Sequence, residues 1–205
     1  GNENHYNTSK TYCDGMFYDL IWYFKDHDST RPVHCESSHS ENGVDVDSDM
    51  YPYDIKGVIN KGNVTMPYLM CEYDHAMGNA VGSIKEYWEA VRGAKNNNIL
   101  GGFIWDWVDQ ARFKSLDDIN SNKLVTGEKY DYYAEDYAHQ NLYADENDGM
   151  FFAYGGDNGE NPNDNSFCVN GLVSPDRDVQ PELNEVKYTY QNFWFNETTE
   201  DDIKD

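Results

Sequence analysis

The residues best placed to do chemistry are acids at the ends of apolar runs. In Tyr68 to Asn79, "YLMCEYDHAMGN", such a run stops on Glu72, and His75 follows three residues later. A carboxylate ending a buried strand is costly unless it is paired or used. Three more acids stand in comparable positions: Glu3 after "GN", Glu36 closing "PVHCE", and Asp106 in "GGFIWDW". In parallel α/β folds, functional side chains project from the carboxyl ends of strands. Two carboxylates facing a bound sugar suffice for glycoside hydrolysis, one acting as acid and base and the other as nucleophile. A salt-bridged or hydrogen-bonded strand end accounts equally well for any one of the four, and a pair of glutamates is common in an acidic chain.

Other chemistries fit less well. "YGGDNGENPNDN" has the composition of a calcium loop, but it lacks the alternating acidic ligands and the closing Glu. Its glycines do not lead into a basic residue and a helix, which disfavours a phosphate cradle. There is no G-x-S-x-G elbow. Cys13, Cys35, Cys71 and Cys168 are scattered and form no C-x-x-C pair, which argues against a zinc site. Those inside apolar runs are expected to be free buried thiols.

The elements that must hold these residues follow from periodicity. Thr11 to Lys25 places Met16, Leu20, Tyr23 and Phe24 on one face and predicts an amphipathic helix. "PVHCE" predicts a short strand, followed by an acidic loop, "SSHSENGVDVDSD", and a brief apolar element at "DMYPY". "MPYLMCE" (Met66 to Glu72) predicts a fully buried strand. Val81, Ile84, Trp88 and Val91 then line one helical face, with Asn79 as N-cap and the Asn run as stop. "NILGGFIWDWVDQ" predicts the next strand, and strand–helix–strand succession predicts parallel pairing through a right-handed crossover. Residues 114–150 form an acidic, Tyr-rich insertion without a clean period. "FFAYGGDNGENPNDNSFCVNGLVSPDR" predicts an ordered loop of successive turns, and a helix is expected beyond Pro181.

Composition narrows the partners. The 205 residues carry 38 acids against 15 bases, a formal charge of -23, which repels phosphate backbones and anionic lipid. Neither nucleic acid nor a membrane is an expected partner, and no run approaches the ~20 apolar residues of a spanning helix. Aromatics make up 15% of the chain, too many for a disordered acidic protein and suited to a domain that handles sugars or other flat ligands. The sequons at Asn7, Asn63 and Asn196 lean toward secretion and the unpaired cysteines lean inward, so the compartment stays open. The start lacks an initiator Met, and further chain is expected upstream of Gly1.

In this order, "MCEYDHAMGNAVGSIKEYWEA", "GGFIWDWVDQ" and "YGGDNGENPNDNSFCVNGLVSPDR" resemble the catalytic domain of the large bacterial-type β-galactosidases of glycoside hydrolase family 2. The resemblance runs from Gly1 to about Phe195, interrupted by the insertion. It implies an α/β fold, a (β/α)8 TIM barrel present from the end of strand four through strand eight, with the insertion at 114–150 after strand eight. Residues 1–182 would then belong to the barrel and 183–205 to its end and the start of a linker.

The resemblance also implies roles. The Glu of "GNE", Glu3, matches the family's acid/base, and the Glu of "CEYDHAMGN", Glu72, matches its nucleophile. Tyr51 would hydrogen-bond that nucleophile. His75 and Trp105 would line the galactose subsite, and Asn2 would reach the sugar 2-hydroxyl. Glu3 would also bind magnesium. The Phe167 carbonyl and Asn170 would bind a sodium ion that helps hold the galactosyl 6-hydroxyl. A β-galactoside is the implied substrate, and a homo-oligomer the implied state of the full-length protein. A β-glucuronidase or other family 2 member would share both glutamates but lack the "YGGDNGENPNDNSFCVNGLV" block. A carbohydrate-binding or structural remnant would keep the barrel without turnover. Half a barrel leaves open strand edges, so activity is expected only within the complete chain.

Overall fold

The computed structural model describes residues 15–36, 43–60, 64–78, 80–95, 98–115, 150–157 and 161–194. Its central layer is three strands, β1 (Asp47–Met50), β2 (Tyr68–Tyr73) and β3 (Ile99–Ile104), adjacent in that order. Both pairings are parallel, as the strand–helix–strand pattern predicts. Helix α1 (Met16–His27) precedes the layer, α2 (Ile55–Asn60) connects β1 to β2, and α3 (Ile84–Gly93) connects β2 to β3. "PVHCE" contributes a single parallel bridge, His34 to Val46 just ahead of β1, rather than a full strand. After β3, an antiparallel pair forms from β4 (Arg112–Ser115) and β5 (Met150–Ala153), and α4 (Pro181–Tyr190) follows.

β2 is buried because both neighbours are strands and helices cover its outer side. Tyr68, Met70, Glu72 and Tyr73 are all buried, and Met70 and Tyr73 are fully so. Gly102 of β3 lets this happen: a Cβ there would stand 2.8 Å from Met70 Cβ and 2.9 Å from Tyr73 Cδ1. The core around them takes in Ile55 from α2, Ile84 from α3 and Val186 from α4. Val81, Trp88 and Val91 pack against it, the face that periodicity predicts.

An aromatic seam closes the outer side. Trp88 Nε1 donates to the Tyr73 hydroxyl at 2.8 Å, and Tyr73 and Tyr190 join their hydroxyls in a hydrogen bond. The Arg92 guanidinium stands 5.3 Å from the Trp88 ring centre and 5.5 Å from that of Trp194, and it donates to the Thr189 carbonyl at 2.7 Å. Each such aromatic or cation–π contact contributes on the order of 0.5–1.5 kcal/mol beyond area burial. Together they tie α3 to α4.

Four further expectations differ from the structure. The predicted inner face of α1 points outward, with Met16, Leu20, Tyr23 and Phe24 all exposed, while Ile21 is buried against Cys35 and Val44. The helix is apolar nearly all round, so periodicity does not single out a face. β1 straddles the end of the expected acidic loop and the start of the expected element at "DMYPY", beginning at Asp47 and ending at Met50: its "DSDM" is polar because Ser48, wholly buried, meets His34 Nε2 at 2.7 Å rather than an apolar partner. The N-cap position of α3 is Ser83, in the left-handed region (φ 59°) and making no side-chain capping bond, not Asn79, which lies outside the described residues, and the helix ends at Gly93 ahead of the Asn run. Lys114 and Ser115 belong to β4 and Met150 to β5, with Ser115 opposite Met150; the rest of the insertion lies outside the described residues.

Candidate active site

The carboxyl ends of the three parallel strands are knitted together by backbone hydrogen bonds. Tyr51, just past β1 with φ 48°, donates its amide to the Glu72 carbonyl at 2.8 Å. Trp105, just past β3, donates to the Tyr73 carbonyl at 3.2 Å, and its own carbonyl accepts from Ala76 at 2.7 Å. These bonds fix Glu72, Tyr51, His75 and Trp105 in one neighbourhood. The Glu72 residue is only 6% exposed at the next-to-last position of β2.

His75 follows in the loop after β2. Its ring centre lies 6.2 Å from that of Tyr51 and 5.7 Å from that of Phe167. Met77 N–H donates to His75 Nδ1 at 3.3 Å, so in the neutral ring Nδ1 accepts and Nε2–H is the donor. A donor at that position suits a sugar hydroxyl.

The turn-rich loop, including a 3₁₀ turn at Asn165–Cys168, brings the remaining residues. Asn170 is 2% exposed; its Nδ2 donates to the Phe167 carbonyl at 2.8 Å and its carbonyl accepts from the Asp106 amide at 2.8 Å. Asn170 Oδ1 is buried with no hydrogen-bond partner. A buried acceptor left empty costs about 1–3 kcal/mol, so it marks a place where a ligand is expected. This orphaned amide oxygen is an acceptor open to a donor or to an oxygen-seeking cation, while Nδ2 of the same amide holds the Phe167 carbonyl. Among the described residues, no group of three or more His, Cys, Asp or Glu could hold a metal ion.

The structure thus gathers Tyr51, Glu72, His75, Trp105, Phe167 and Asn170. Asn2 and Glu3 lie outside the described residues. Of the other acids considered from sequence, Asp106 is engaged locally, accepting from Gln110 Nε2 at 2.8 Å and from the Trp107 amide. Glu36 is 8% exposed near Cys71. Burial foremost, with the Glu36 and Glu72 charges adding, pushes the Cys71 thiol up to about 11, which makes it a poor nucleophile.

Two carboxylates have no counterpart among the sequence-based candidates. Asp109, buried, accepts from the Gly171 amide and from Gln180 Nε2, each at 2.7 Å; burial raises its pKa and those bonds oppose the rise. Asp74, between Glu72 and His75, accepts from the Gly82 amide at 3.1 Å, while its Oδ2 is buried without a partner. Burial, with the Glu185 charge adding, lifts its pKa to about 6. Asp109 is visible in sequence only as the second acid of "WDWVD", and nothing in spacing distinguishes it from a surface residue.

Fold and site define an α/β chain with a buried glutamate among aromatic and polar side chains at the carboxyl ends of parallel strands. The model of glycosyl hydrolases family 2, TIM barrel domain, matches residues 1–138 and 127–195, and the chain belongs to that family. It is 36% identical over 196 residues to a protein named beta-galactosidase from Pseudoalteromonas haloplanktis, covering 88% of this chain and 16% of that protein. It is 38% identical over 178 residues to a beta-galactosidase from Vibrio vulnificus, covering 80% and 14%. With one from Halalkalibacterium halodurans it shares 35% identity over 190 residues, covering 90% and 16%. The chain spans 14–16% of the length of these curated relatives.

Proposed function

We propose that this chain is the part of a retaining β-galactosidase barrel running from the end of strand four through strand eight, and that it acts within the complete protein. "PVHCE" would be strand five, and β1, β2 and β3 strands six, seven and eight. The observation that carries the proposal is the buried Glu72 at the carboxyl end of the central parallel strand, with Tyr51, His75, Trp105, Phe167 and Asn170 around it. Family membership and relatives named beta-galactosidase support a terminal β-galactosyl group as the substrate.

In this mechanism Glu3, as a carboxylic acid, protonates the glycosidic oxygen while the Glu72 carboxylate attacks the anomeric carbon, forming a glycosyl–enzyme ester and releasing the aglycone. Glu3, now a carboxylate, takes a proton from water, and that water releases galactose and regenerates Glu72. Two-step hydrolysis calls for carboxyl groups about 5–5.5 Å apart. The Tyr51 hydroxyl would steady the Glu72 charge, His75 and Trp105 would hold the galactose ring, and Asn2 would bond its 2-hydroxyl. The Phe167 carbonyl and Asn170 Oδ1 would hold sodium, which when bound supplies positive charge for the 6-hydroxyl. Glu3 would be one ligand of magnesium. A homo-oligomer is proposed for the full-length protein.

Hydrolysis of a nitrophenyl β-galactoside by the full-length gene product and its Glu72→Gln variant tests the proposal. A loss of about 10⁴-fold in kcat is expected for the variant, the scale of removing one essential catalytic group. Equal activity in both, or sugar binding by the parent without turnover, would sink it.

A further inference from the structure

We propose that Asp109 is a positioning residue that holds the Asn170–Gly171 peptide so that Asn170 Oδ1 stays aimed at its ligand. The proposal rests on reading Asn170 as a sodium ligand. Asp109 grips the loop at three points: Oδ1 accepts from the Gly171 amide at 2.7 Å, Oδ2 accepts from Gln180 Nε2 at 2.7 Å, and its own amide donates to the Val173 carbonyl at 3.0 Å. Neighbouring bonds run the same way, from the Asp106 amide to the Asn170 carbonyl at 2.8 Å and from the Gln110 amide to the Cys168 carbonyl at 2.9 Å. The approach is so close that a Cβ on Gly171 would stand 2.1 Å from the Asp109 amide nitrogen. Only glycine allows it.

A carboxylate suits this post for a specific reason. Two donors, one from the backbone and one from Gln180, reach separate oxygens of Asp109, and an amide side chain has only one acceptor oxygen. No Lys or Arg pairs with Asp109 among the described residues. A buried charge held by neutral donors alone is an expensive way to stabilise a loop. It is a direct way to fix the loop's direction, because charge-assisted bonds are short and orienting.

The test uses the full-length protein, titrated with sodium against choline at constant ionic strength, with melting temperature and kcat/KM as readouts. Wild type is expected to gain Tm with sodium. In Asp109→Asn the sodium concentration for half the effect should rise about 10–100-fold, the usual cost of losing a residue that orients a metal ligand. Added sodium should recover the lost kcat/KM. Gln180→Ala, which keeps the Gly171 bond, should shift the midpoint the same way by less, and it decides the matter if Asp109→Asn does not fold. Unchanged midpoints, or losses equal at every sodium concentration, would overturn the proposal. If wild type shows no sodium response, the sodium reading fails on its own. Asp109 is then judged by KM for the galactoside: a roughly tenfold rise with kcat little changed upholds positioning, and an unchanged KM overturns it.

Discussion

Glu72 and Tyr73 are adjacent in the chain, yet they belong to regions built by different physics. Tyr73 faces the outer seam, where Trp88, Tyr190 and Arg92 close over β2 by aromatic packing, with few hydrogen bonds. Glu72 belongs to the strand ends, where the segments around Asp106, Asp109 and Asn170 are tied almost wholly by backbone and side-chain hydrogen bonds. The seam works mainly through many non-directional contacts. The strand-end knot does not, because each bond is directional and each buried group left unpaired costs the full desolvation. Stability is concentrated behind β2 and geometry in front of it.

Mutations behind β2 should therefore cost stability while leaving the chemistry of the folded protein largely intact. The largest effect is expected for Trp88→Ala in the full-length protein, about 3 kcal/mol of lost stability by chemical denaturation. A Trp88→Ala protein whose stability held but whose kcat fell would break the division between the two regions. Tyr190→Phe removes one hydroxyl from the seam and should cost about 1 kcal/mol.

Asp74 sits where the two regions meet, and its expected effect is smaller and pH-dependent. Its folded pKa of about 6 lies above the ordinary 3.8, so the fold favours the protonated acid. That contribution is fully present below pH 3.8 and is lost as pH rises through about 6. The facing groups, Glu185 on α4 and the Tyr87 and Tyr190 phenols, add no positive charge to retain the carboxylate. Asp74→Asn should thus match wild type in Tm near pH 4 and exceed it modestly above pH 6, the gap opening between. A constant gap across that range would show that Asp74 does not titrate there.

The same division governs what the sequence could reveal. β2 and α3 are legible because burial shapes their composition: "MPYLMCE" is apolar up to its Glu, and Val81, Ile84, Trp88 and Val91 recur at helical spacing; β3 is legible as the apolar run "ILGGFI", although only Gly101 in it is buried. β1 is only half legible, its second half falling in "DMYPY", because its buried side chain is Ser48, satisfied by His34 instead of by an apolar neighbour. α2 hides because its "IKGVIN" is a single short stretch with a central Gly. α1 is found but turned the wrong way, since its apolar residues ring the helix. The site divides similarly. Glu72 can be suspected from an acid ending an apolar run, whereas Asn170 and Phe167 become candidates only through resemblance. Asp109 and Asp74 emerge only once hydrogen-bond partners are known, because a buried carboxylate and a surface one read alike in sequence.

In the proposed mechanism Glu72 forms the covalent bond to the sugar. A 2-deoxy-2-fluoro-β-galactoside with a good leaving group slows the second step more than the first, so the full-length protein should accumulate one glycosyl ester per active site. Mass spectrometry of the digest should then find the fluorogalactosyl group on the peptide containing "CEYDHAMGN", attached to Glu72 and released by a galactosyl acceptor. Attachment to Glu36 or to another residue, or turnover with no trapped ester, would contradict the account.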